Sequence, residues 1–219
     1  MLKQFFKYIF QSIAGMIGIS VYILADTFFI SVHSGADGLA VLNLILPVYG
    51  VVYAIGAMIG IGSATRFGIN RAKGENTDHY FLQSVFWSVL CSVPFIITGI
   101  FAPEKVLHLL GADAGLTALG KSYLRIMLIT TPLFMTNYTF TAFARNDQGT
   151  STAMTGAISA SLFNIVFDYI FMFPMKLGLA GAALATAISP AITMAICTTH
   201  YLGKKNHVGF RWVRPSIRT

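Results

Sequence analysis

Apolar residues along this chain fall into long blocks separated by short polar turns. Six blocks stand out, near residues 8–30, 39–65, 80–101, 122–144, 152–173 and 179–202. Each reaches the length of about 20 residues that an α-helix needs to cross a bilayer core at about 1.5 Å per residue. Polar turns at 33–38, 66–79, 102–121 and 145–149 separate them. The pattern predicts an all-α membrane protein, a six-transmembrane-helix bundle spanning residues 1–205. Residues 206–219 read as a basic cytoplasmic tail or the start of a linker.

Composition supports this division. Hydrophobic residues make up 55% of the 219 and charged residues only 11%, against about 25% charged in an ordinary soluble domain. A soluble enzyme this poor in charge would not cover its own surface. The net charge of +7 does not point to nucleic acid, because the basic residues sit in short clusters flanking the apolar blocks. Lys3 and Lys7 precede an apolar run that is too long for a signal peptide, contains Asp26 and lacks a small-residue cleavage site, so it reads as the first span.

Charge asymmetry orients the bundle. With the N-terminus inside, the cytoplasmic segments hold Lys3, Lys7, Arg66, Arg71, Lys73, Arg145, Lys204, Lys205, Arg211, Arg214 and Arg218. The outer loops hold only Lys105, Lys121 and Lys176. This bias predicts that both termini are cytoplasmic. Pro47, Pro94, Pro132 and Pro190 fall inside spans and predict kinks there. Gly56, Gly60, Ala64 and Gly68 recur at four-residue spacing, as do Gly181, Ala185 and Ser189, which predicts close helix packing. Spans one to three show no convincing repeat in spans four to six.

Of the eight acidic residues, only Asp26 and Asp168 lie within spans. A carboxylate there is costly and marks a functional site facing the bundle interior. Counted from the outer ends of their spans, the two lie at nearly the same depth. Asn164, one turn before Asp168, shares its helix face, and Thr186 on the last span reaches a similar level. Two carboxylates, an amide and a hydroxyl at one depth suit either coordination of a hard cation such as Na⁺ or binding and release of a proton. The plainer reading pairs Asp26 with Arg125 and Asp168 with Asn164 alone. Asn137 and Tyr138, deeper in the fourth span, line a cavity or bridge helices, and Arg125 either joins them or snorkels to the interface.

Cys91 and Cys197 lie in apolar spans and read as small core residues. The histidines are too scattered for a zinc site. No phosphate loop, nucleophile–base cluster or metal-binding helix motif is present, so neither enzymatic activity nor an organic cofactor is expected. Without a nucleotide site, transport driven by an ion gradient is the natural alternative.

These segments together resemble a known family. ADTFFI around Asp26, GIGSATRFGINRAKGE at residues 60–75, FARNDQG at 143–149, NIVFDYIF at 164–171 and GLAGAALAT at 178–186 are similar to the N-terminal half of a multidrug and toxic compound extrusion (MATE) transporter. The resemblance implies one lobe of a twelve-helix, two-lobed MATE-like antiporter that works by alternating access. It further implies export of organic cations, drugs or other toxic compounds in exchange for H⁺ or Na⁺, from a bacterial plasma (inner) membrane. The ion-coupling residues it implies are Asp26, Asn164, Asp168 and Thr186. The implied partners are the lipid bilayer, a small organic cation, and a C-terminal lobe or a second copy of this chain. The alternatives are a lipid-linked precursor flippase of the same superfamily and an inactive half-transporter. The first span lacks the proline at which some members bend, leaving Gly15 and Gly18 as the expected bending points.

Overall fold

The computed structural model describes residues 2–203 and 206–212. Lys204, Lys205, Arg214 and Arg218, named above as cytoplasmic charges, lie outside the described residues, as do the side chains of Lys3 and Lys7. The described residues form seven helices and no strand: α1 (Leu2–Ala72), α2 (Tyr80–Phe101), α3 (Pro103–Leu109), α4 (Ala114–Ile129), α5 (Thr131–Asn146), α6 (Thr150–Met172) and α7 (Leu179–Tyr201). The chain is an all-α membrane lobe.

The first two expected spans join into one helical run of 71 residues, interrupted only at Gly35 (φ 60°, ψ −145°). The polar turn expected at 33–38 is therefore a break at one residue. A side chain there would be strained, which is why glycine occupies it. The chain reverses direction at this point, as its contacts show. Gly15 packs beside Met154 near the start of α6, and Gly68 packs beside Asn146 at the end of α5, so both lie at one end of the bundle. Phe29 meets Tyr169 and Phe173 at the opposite end. The first half of α1 thus runs parallel to α6, and the second half parallel to α5. Gly15 and Gly18 keep helical dihedrals and serve as packing positions against α6.

The fourth expected span also differs. It begins earlier, at Ala114, where Asp113 caps the helix by accepting from the Leu116 backbone N–H at 2.8 Å. It then breaks at Thr130 into α4 and α5, of 16 residues each. Pro132 opens α5 and supplies no backbone donor. The hydroxyls of Thr130 and Thr131 donate back to the carbonyls of Ile126 and Leu128 at 2.7 Å, which satisfies groups the break would orphan. The connection between α2 and α4 contains the short helix α3, absent from the sequence expectation, and the predicted loop at 66–79 shortens because α1 continues to Ala72. Pro47, Pro94 and Pro190 sit inside α1, α2 and α7, whose helical assignment continues through them.

Small residues set the spacing of the bundle. A Cβ on Gly60 would lie 2.6 Å from the Thr139 backbone nitrogen, and one on Gly56 2.9 Å from Met135 Cα. Backbone-to-backbone approach of this kind is how helices associate where lipid offers no hydrophobic drive. Gly181 packs against the Phe171 backbone and Gly156 against Thr193, so α6 and α7 run antiparallel in close contact. On the outer surface Leu24, Phe28, Met58 and Leu162 are largely exposed, the covering expected of helices that meet lipid.

Candidate functional site

Where α1, α6 and α7 converge, four polar side chains are buried within the apolar bundle. Asn164 and Asp168 are 0% exposed, Asp26 7% and Thr186 8%. Phe29 lies between Tyr169 and Phe173, with ring centroids 6.1 Å from each, so Asp26, about one turn before Phe29, sits near the depth of Asp168. The two carboxyls are within electrostatic reach of each other.

Asn164 bridges the helices. Its amide lies 3.2 Å from the Thr186 hydroxyl on α7. With its nitrogen turned toward Asp168 it donates to Asp168 Oδ2 at 2.9 Å, while its oxygen accepts from the Thr186 backbone N–H and hydroxyl, each at 3.2 Å. This orientation gives both the nitrogen and the oxygen of the amide a partner and is the chemically sensible one. Even so, among the described residues Asp26 Oδ1 and Asp168 Oδ1 remain buried without a hydrogen-bond partner. Such atoms are expensive in an apolar surrounding, and they can accept a proton or coordinate a cation.

Beside them opens a cavity of about 210 Å³ whose wall includes Asp26, Thr186, Asn43, Tyr22, Tyr49 and Tyr123. The three tyrosines and Asn43 escaped the sequence reading because aromatic residues are frequent in every span and only the fold turns these inward. The cavity wall carries no Lys or Arg among the described residues.

The remaining expected site residues lie elsewhere. Arg125 is exposed on α4 and, among the described residues, forms no ion pair with Asp26. Tyr138 packs edge-on against Tyr53 with ring centroids 5.0 Å apart. Asn137 Oδ1 is buried without a partner, away from the cavity wall. Asp147, read from sequence as a loop residue, is fully buried and accepts from Arg71, His200 and His207. The run of polar residues around it gave no sign of burial.

The described residues thus form a helical lobe with buried carboxylates beside an aromatic cavity. The sequence matches the family model for MatE over residues 12–170, and the chain belongs to that family. It is 29% identical to the multidrug export protein MepA of Staphylococcus saprophyticus over 202 residues, covering 90% of this chain and 44% of the relative. Among solved structures it superposes on a MATE transporter in complex with MaD3S with a TM-score of 0.85 at 25% identity, over 95% of this chain and 48% of the other. An outward-facing multidrug resistance MATE transporter of the MOP superfamily gives a TM-score of 0.84 at 25% identity, over 95% and 47%. The chain thus corresponds to the N-terminal half of family transporters and spans about half the length of the curated relatives it matches. It is an integral membrane protein of a multidrug efflux transporter family.

Proposed function

We propose that this lobe is the ion-coupling half of an antiporter that exports organic cations, drugs or related toxic compounds by alternating access. The observation that carries the reading is the pair Asp26 and Asp168, each buried with one carboxylate oxygen unpartnered. H⁺ or Na⁺ taken up there offsets the cost of the bare oxygens, and Asn164 and Thr186 hold Asp168 in place. The ion favours one arrangement of the helices and the substrate favours the other, which is what couples their flows. The neighbouring tyrosines and carboxylates suit a cation, since aromatic faces attract positive charge. The lack of basic residues on the cavity wall disfavours the anionic head group that a lipid-linked precursor flippase would hold.

In this reading the N-terminus and the Asp147 end face the cytoplasm, and a C-terminal lobe or a second copy of the chain completes the substrate path. The test uses the native polypeptide carrying this lobe, reconstituted in liposomes and loaded with ethidium. Imposed H⁺ and Na⁺ gradients are compared, with Asp26→Asn and Asp168→Asn as variants. Coupling at this site predicts that one gradient drives efflux and that Asp168→Asn abolishes the drive without loss of protein from the membrane. Efflux with unaltered ion dependence in both variants overturns the proposal.

A further inference from the structure

The buried carboxylate at the other end of the lobe is organised differently from Asp26 and Asp168. Both oxygens of Asp147 are fully engaged. Oδ1 accepts from the Arg71 guanidinium at 2.7 Å and from His207 Nδ1 at 3.0 Å. Oδ2 accepts from His200 Nε2 at 3.1 Å and from the His207 backbone N–H at 2.9 Å. These donors come from the last turn of α1, the last turn of α7 and the segment beyond α7. Asp147 itself lies in the α5–α6 turn, beside Gln148 with φ 64°. One carboxylate therefore joins four separate parts of the chain.

The segment it holds is docked along its length. Val208, next to His207, is 3% exposed and belongs to the core cluster of Phe67, Phe81, Phe143 and Tyr201. Phe210 packs against Phe81 with centroids 5.3 Å apart. The Arg211 backbone N–H donates to the Asp78 carbonyl at 3.0 Å, and Trp212 meets Phe86 at 5.8 Å. A metal reading of the Asp147, His200 and His207 group does not hold, because the Arg71 guanidinium already occupies the carboxylate and the group lacks metal-site geometry.

We infer that Asp147 is a clasp: through His207 it fastens residues 206–212 as a strap across the ends of α1, α2, α5 and α7. With the clasp closed, the chain leaving α7 moves with the lobe as one body. Charge-assisted hydrogen bonds are the strong ones, and only His207 contributes both a side-chain and a backbone donor. Phe210 and Trp212 remain half exposed, so the strap's attachment rests on the two His207 bonds to this carboxylate together with buried Val208. This role is independent of the coupling site.

The test is site-specific alkylation in detergent micelles. Cys91→Ser leaves Cys197, which is 0% exposed, as an internal control, and Val208→Cys reports on the strap. A charged maleimide is applied to this background and to the same background with Asp147→Asn or His207→Ala. Labelling at 208 is expected to rise about tenfold in both variants while Cys197 stays protected, the signature of local opening. His207→Ala leaves Arg71 and His200 on Asp147, so it decides the matter should Asp147→Asn fail to accumulate. Unchanged labelling at 208 in folded protein overturns the clasp. Equal exposure of Cys197 overturns it too, by showing that Asp147 holds the whole lobe together and not the strap.

Discussion

Asn164 and Thr186 face each other across the α6–α7 interface with 3.2 Å between amide and hydroxyl. Gly181 and Gly156 bring the same two helices into close contact on either side of that pair, so the bond sits where the helices have least freedom. It fixes the amide that in turn bonds Asp168. Thr186→Val keeps the shape and removes the hydroxyl. The Asn164 amide then loses a buried partner, and stability should fall by about 1–3 kcal/mol, read as a lower melting temperature in detergent. An unchanged melting temperature would show that the Thr186 backbone N–H alone satisfies the amide.

Close approach of α1 to α5 yields a paired prediction. At Gly60 a methyl group would meet the Thr139 nitrogen at 2.6 Å and the Tyr138 carbonyl carbon at 2.7 Å, whereas at Gly62 nothing lies within 4 Å. Backbone cannot step aside as a flexible side chain can. Gly60→Ala should cost about 1–3 kcal/mol. Gly62→Ala should be neutral or stabilising by up to about 1 kcal/mol through helix propensity. Thermal unfolding of the two variants side by side separates packing from propensity.

Gly35 has open space around it, with nothing within 4 Å of a built Cβ. Its requirement for glycine is therefore purely one of backbone conformation. Gly35→Ala should destabilise by about 1–3 kcal/mol or shift the reversal to a neighbouring residue. Cysteine cross-linking between positions 29 and 173, compared with the parent, reports whether the first half of α1 keeps its register on α6. Full retention of both stability and register would contradict the strain assigned here.

Between α3 and α4, Lys121 and Glu104 form an exposed ion pair. The hydrogen bond and charge of Lys121 hold the Glu104 carboxyl below its ordinary value of 4.5. A carboxylate depressed in the folded state stabilises above its unfolded pKa, and that contribution is lost as pH falls through the folded value. The window thus lies on the acid side of 4.5. Lys121→Ala should return the Glu104 titration upward, as followed by carboxyl NMR shifts, without a measurable change in melting temperature at neutral pH, because the pair is solvent-screened.

Much of the lobe is written in the chain's linear pattern. Span length, apolar run and the positions of Asp26 and Asp168 are local quantities, and a regular rise per residue converts them into depth. That is why two carboxylates more than a hundred positions apart could be placed at one level before any contact was known, with Asn164 and Thr186 beside them. Tertiary structure decided the rest. Tyr22, Tyr49 and Tyr123 line a cavity only because α1 and α4 bring them together. Asp147 shows the limit most clearly. Sequence offered a polar residue in a short turn, while its burial is created by Arg71, His200 and His207 arriving from distant parts of the chain, and no local pattern encodes a meeting of that kind.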